Sequence, residues 1–130
     1  MSDGRPLSDD PRFRDKIAAV EIDLLALEGT VLRILSTQRT GQAPGPESSI
    51  LKIKGTEIQQ ALTELLREAV GYYANPFVEE AFEDGWNEPP IGPAYAAPLA
   101  PRYFNWRKAS IYGGTNEIQK NIIAKMVLGL

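Results

Sequence analysis

The sequence predicts an all-α protein: an antiparallel, four-helix-bundle-like arrangement carrying one long, ordered loop rich in aromatics, proline and glycine. Three observations predict it. Apolar residues step by four and three from Phe13 to Ile34 and again from Leu51 to Tyr72, the spacing that keeps one stripe of a helix facing one partner. The turn-rich connection between those stretches, Thr40 to Pro46, is short enough to make the two helices antiparallel neighbours. No part of the chain shows a series of alternating strand patterns, and no internal repeat is present.

Taken in order, residues 1–10 are polar, punctuated by Gly4 and Pro6, and read as a flexible lead-in. Asp9 or Asp10 is placed to cap the first helix, with Pro11 in its first turn. The first stripe of that helix is Phe13, Ile17, Val20, Leu24, Leu27, Val31 and Ile34. A second stripe, Ala18, Ile22, Leu25, Gly29, Leu32 and Ser36, lies beside it, so the helix should be wedged between two neighbours or cover an oligomer contact. Gly29 costs about 1 kcal/mol relative to alanine in mid-helix, which a close helix crossing would justify.

Pro46 occupies the position of a first helical residue and Glu47 the dipole-favoured first turn of the second helix. Leu51, Gly55, Ile58, Leu62, Leu65, Ala69 and Tyr72 form its apolar stripe, with Lys52, Lys54, Gln60 and Arg67 assigned mostly to other faces. Gly71 is the natural residue to stop it. From about residue 73 to 101, repeated Pro and Gly break all periodicity. The many aromatics there, Tyr73, Phe77, Phe82, Trp86 and Tyr95 among them, argue for an ordered segment laid over a bundle surface, with one helical turn near Val78 to Phe82. Residues 101–110 are expected to form a short helix. Then Gly113 and Gly114 deliver Thr115 to the start of a last helix. Its buried face should be Ile118, Ile122, Ile123, Met126 and Val127.

Composition narrows the chemistry. The chain has 130 residues and a formal net charge of −3, with its basic residues scattered, which argues against a nucleic-acid footprint. It contains no cysteine and no histidine, which removes thiol nucleophiles, Ser-His-Asp catalysis, a histidine base and His-ligated zinc. No signal-like or membrane-spanning apolar run is apparent, so a cytoplasmic protein without a membrane partner is expected. Read from the residues alone, the helix start at Gly114 and Thr115 offers free N–H groups and a positive dipole end, either for an anion or simply as a capped turn.

The stretch Ile111-Tyr-Gly-Gly-Thr-Asn-Glu-Ile-Gln-Lys-Asn-Ile-Ile-Ala-Lys-Met-Val-Leu-Gly-Leu130 resembles the C-terminal signature of flavin-dependent acyl-CoA dehydrogenases. Pro46-Glu-Ser-Ser-Ile-Leu-Lys-Ile-Lys-Gly-Thr-Glu57 resembles a preceding helix of that family. Asn87 to Pro93 and Pro98 to Lys108 resemble a longer inter-helix insert of a bacterial branch. The likeness covers residues 11–130, about the last third of such an enzyme. It implies a helical domain that builds oligomer interfaces, with FAD held between subunits, acyl-CoA as substrate and electron-transfer flavoprotein as electron acceptor. The oligomer would be a homo-oligomer or a heteromer with a related subunit.

By that resemblance Thr115, Glu117 and Gly114 contact the flavin nucleotide, and Gly71 approaches the diphosphate of a neighbouring subunit's FAD. Glu68 stands where many members carry Gln, an unfavourable charge there unless something neutralises it. No catalytic residue is assigned. Gly113 occupies the position where many members carry the glutamate that removes the substrate α-proton, so the chain by itself is expected to be inactive. The alternative reading is a stand-alone helical oligomerisation or interaction module without catalysis.

Overall fold

The computed structural model describes residues 4–39, 41 and 45–129. Met1 to Asp3 of the expected lead-in, Thr40 and Gln42 to Pro44 of the expected turn, and Leu130 lie outside the described residues. Among those described there are four α-helices, several 3-10 turns and no strand, so the all-α expectation holds.

Helix starts follow the local signals. A 3-10 turn, Leu7–Asp9, leads to α1, Pro11–Arg39. Asp10 caps it: its Oδ1 accepts the Arg12 N–H at 2.9 Å and its carbonyl accepts that of Arg14 at 3.0 Å. Helix α2 runs Glu47–Val70, and Pro46 precedes its first residue with backbone already helical, one position from the expected start. Gly71 ends α2 at φ 57°, ψ −128°, a conformation natural only to glycine, with its N–H on the Glu68 carbonyl. The loop that follows carries 3-10 turns at Gly71–Ala74 and Glu79–Phe82. The expected short helix is α3, Leu99–Trp106, prolonged by a 3-10 turn, Arg107–Ser110. Helix α4 is Asn116–Leu128.

Helix α2 is the hub. It packs against α1, α3 and α4, whereas no extensive seam joins α1 to α3 or α4. The Lys16–Glu68 ion pair, 2.6 Å, sets the start of α1 beside the end of α2, which makes them antiparallel. Lys54 lies 3.0 Å from Glu57, and this hydrogen bond and charge, with Asp23 of α1 adding to them, hold the lysine pKa above its usual value. On the opposite side, successive positions of α2 meet progressively earlier positions between Asn116 and Tyr103. The α3 segment therefore also runs antiparallel to α2.

Burial corrects several expectations. The inner stripe of α1 is half-buried against α2 except Leu24, which stays exposed, while Ile22, Leu25 and Leu32 of the second stripe are 66%, 66% and 61% exposed. Gly29 lies in that outer stripe with nothing within 4 Å of where a Cβ would be, so no helix among the described residues crosses there. In α2 the buried residues are Ser49, Ile53, Ile58, Thr63 and Val70, and of the expected apolar stripe Ile58 alone is buried. A second 4-3 series, Ser49, Ile53, Thr56, Gln60, Thr63, Arg67 and Val70, faces α3 and α4 instead; polar groups thus occupy a packed face outside the expected apolar stripe.

The expected apolar face of α4 is also largely uncovered. Ile118, Ile122, Met126 and Val127 are exposed, Ile123 is half-buried, and the buried residue is Asn116. Helix α4 has one extensive neighbour within the chain, and one neighbour cannot cover a wide apolar stripe. The loop aromatics do not make a core either. Small residues Val70, Ala74, Ala96 and Leu99 do that, while Tyr72, Phe77, Tyr95 and Phe104 are exposed.

Candidate functional site

The turn into α4 is built from two consecutive left-handed residues. Gly113 has φ +60° and Gly114 φ +83°, a pair that side-chain-bearing residues adopt only at a cost. They set Thr115 in extended backbone (φ −60°, ψ 159°), where its Oγ1 accepts the Ile118 N–H at 3.2 Å. That is the expected N-cap. The side chain of Gln119 folds back, donating from Nε2 to the Gly113 carbonyl at 2.8 Å. A Cβ at Gly114 would come within 3.1 Å of that amide, whereas one at Gly113 would meet open space. The first-turn N–H groups lie outside the helical ladder. Glu117 projects into solvent on that first turn, 3.7 Å from Lys120.

What holds this turn in place was not foreseen. Lys52 of α2 donates from Nζ to the Ser110 carbonyl and to Asn116 Oδ1, both at 2.8 Å. One ammonium thereby clamps the residues on either side of the Ile111 to Thr115 turn. Thr56 Oγ1 donates to the Ile53 carbonyl at 2.8 Å and lies 3.4 Å from Asn116 Oδ1. Further along, Gln60 Nε2 donates to the Arg107 carbonyl at 3.1 Å. Arg107 returns donors to the Gln60 carbonyl at 2.7 Å and to Thr63 Oγ1 at 3.2 Å. The Arg67 and Arg107 guanidinium carbons lie 4.9 and 4.3 Å from the centroid of the Tyr103 ring. The 4-3 polar series of α2 was the available signal for this seam.

Gly71, the other predicted site residue, is not brought to the same place. From Lys52, which marks the α4 turn, to Gly71 the helix rises roughly 28 Å at about 1.5 Å per residue. Gly71 instead borders a groove of about 530 Å³ lined by Arg5, Glu68, Tyr72, Tyr73 and Tyr95. The Glu68 charge that a phosphate there would meet is engaged by Lys16 at 2.6 Å. Thr115, Gly114 and Glu117 form one locus and Gly71 a second, at opposite ends of α2.

The sequence profile described as "Acyl-CoA dehydrogenase, C-terminal domain" matches residues 2–128. The chain belongs to this family. Among curated proteins this acyl-CoA dehydrogenase domain is similar to "Acyl-CoA dehydrogenase IpdE1" of Mycolicibacterium smegmatis and to the protein of the same description from Mycobacterium tuberculosis. Each is 28% identical over 123 residues, 95% of this chain. The chain spans about a quarter of their length, 26% and 28% respectively. No solved structure matches it significantly.

Gly113 offers no proton acceptor, and among the described residues no group of three acidic side chains is arranged to hold a metal ion. None of the described helices is long and apolar enough to cross a membrane.

Proposed function

We propose that the chain serves as the C-terminal domain of an FAD-dependent acyl-CoA dehydrogenase, an oxidoreductase that introduces the α,β double bond of an acyl-CoA thioester. In this reading it supplies nucleotide contacts and an oligomer face, and performs no turnover alone. The observation that carries the reading is the α4 turn: two left-handed glycines present a capped helix start, with Thr115 and Glu117 beside it and no carboxylate at Gly113.

The residues present suit a nucleotide. The Thr115 oxygen accepts the Ile118 N–H, which leaves its hydroxyl proton to donate to a ligand oxygen. Glu117, exposed at the first turn, can accept from a ribose hydroxyl. The N–H groups at Gly114 and Thr115, with the helix dipole, favour negative charge. At the far end of α2, the bare Gly71 backbone allows a second cofactor, held mainly by a neighbouring subunit, to approach closely. Lys16 lowers the electrostatic cost that Glu68 would impose on its diphosphate. When bound, the flavin supplies the hydride acceptor; the residue that takes the α-proton comes from outside this chain.

The uncovered stripes of α1 and α4 suit subunit packing, as a homo-oligomer or with a related subunit. Acyl-CoA and electron-transfer flavoprotein are the partners of the assembled cytoplasmic enzyme. The same exposed stripe on α1 also favours the second reading, a helical oligomerisation module without catalysis. The purified chain, mixed with FAD, acyl-CoA thioesters and a dye acceptor, should reduce no dye; turnover would overturn the proposal that it is inactive alone. Saturable FAD binding that is lost on Thr115→Ala would favour the dehydrogenase reading over the bare module.

A further inference from the structure

The long loop lines an open pocket of about 350 Å³, with Tyr73, Trp86, Pro89 and Ile91 among its walls; Tyr73 is shared with the groove beside Gly71, whereas the α4 turn is not part of it. It is a shaped pocket. The Tyr73 ring packs directly on the backbone of Gly92, where φ is +78° and a Cβ would collide with the ring. Pro89 and Pro90 stiffen the opposite stretch. The charged residues lining it are Glu80 and Glu88, and neither makes an ion pair among the described residues. No lysine or arginine occurs between Glu68 and Arg102, whereas Glu79, Glu80, Glu83, Asp84 and Glu88 all do. With those five acids set aside, the chain has 14 basic against 12 acidic residues, so its net negative charge resides in the loop that lines this pocket.

Rings, prolines and unpaired carboxylates around a small cavity favour an organic cation on an apolar stem. The surroundings distinguish a free amine from a side chain. Tyr73 and Ile91 in its walls are each 53% exposed, and Phe77 and Phe82, exposed rings with centroids 6.1 Å apart, adjoin the lining residues Val78 and Ala81 in the chain; a lone amine would leave these apolar groups in water. An extended peptide would cover them. We propose that this pocket binds an arginine side chain presented by an apolar peptide segment of a partner protein, the guanidinium lying between Glu80, Glu88 and the Trp86 and Tyr73 rings. Arginine suits it because its planar group both stacks on rings and pairs with carboxylates.

The test is an NMR titration of the chain, following the Trp86 indole N–H, assigned by loss of its signal in Trp86→Phe. The probe is acetyl-Leu-Ala-Arg-Leu-Ala-amide, compared with the same peptide carrying citrulline, a neutral isostere of arginine, and with N-butylguanidinium. The arginine peptide should shift the signal saturably, and the citrulline peptide should bind about three- to tenfold more weakly. Glu80→Gln with Glu88→Gln should weaken arginine-peptide binding by a similar factor. Absence of a saturable shift, or equal binding of arginine and citrulline peptides, overturns the proposal. N-Butylguanidinium binding as tightly as the peptide overturns the assignment to a peptide partner.

Discussion

Replacing Lys52 with methionine tests how the α4 turn is held. Methionine keeps most of the apolar stem, so the change removes chiefly the ammonium and its bonds to the Ser110 carbonyl and Asn116 Oδ1, each 2.8 Å long. A hydrogen bond involving a charged group contributes about 1.5–3 kcal/mol net. Asn116 is buried and loses its strongest donor, keeping the longer contact with Thr56. Ser110 is half-buried and can be partly rehydrated. The total loss should therefore fall near 2–3 kcal/mol, about the lower bound for two such bonds. With a urea m-value of about 2 kcal/mol/M, the midpoint should drop by roughly 1–1.5 M. Crossing Lys52→Met with Asn116→Ala should give a coupling of about 1 kcal/mol or more, since both changes break one contact. Hydrogen exchange should show α4 amides losing more protection than the middle of α1. A midpoint shift under about 0.3 M, or a coupling indistinguishable from zero, would refute the clamp.

Two further outcomes are expected. Gly71→Ala should destabilise by about 1–3 kcal/mol, because φ 57°, ψ −128° strains any residue with a Cβ although the space around it is empty; thermal unfolding reads this, and an unchanged Tm contradicts it. The chain should self-associate at high micromolar concentration through the outer face of α1, and Ile22→Glu with Leu32→Glu should return it to monomer in sedimentation without lowering the urea midpoint. A wild-type chain that sediments strictly as a monomer would count against that surface.

The parts legible in the sequence are those settled within a few residues of the chain. The Asp10 cap, the glycine stop at Gly71, the 3-10 turn at Glu79–Phe82 and the Thr115 cap each depend on a side chain or a φ angle acting on backbone three or four positions away. The family signature after Ile111 was legible for the same reason, since the Gly-Gly-Thr turn and the helix it starts are contiguous. The inner stripe of α1 was readable because it has one dominant neighbour, α2.

Other features depended on residues distant in the chain. Periodicity shows that Leu62, Ile122 and Met126 are apolar and share faces with other apolar residues; it does not say which neighbour, or whether any neighbour in the same chain, covers them. The polar seam of α2 was not marked by the apolar periodicity because the partners of Lys52, Thr56, Gln60 and Thr63, namely Trp106, Arg107, Ser110 and Asn116, lie 44 to 64 positions further along. The separation of Thr115 from Gly71 likewise follows from the length of α2 and from where Lys52 clamps the last helix. Local sequence determined where helices begin, end and offer N–H groups, because those choices rest on short-range sterics and hydrogen bonds. Which faces became a polar seam, and which stayed bare, was decided by packing of α3 and α4 on α2, because burial of a lysine or arginine is tolerable only where distant carbonyls and rings meet it.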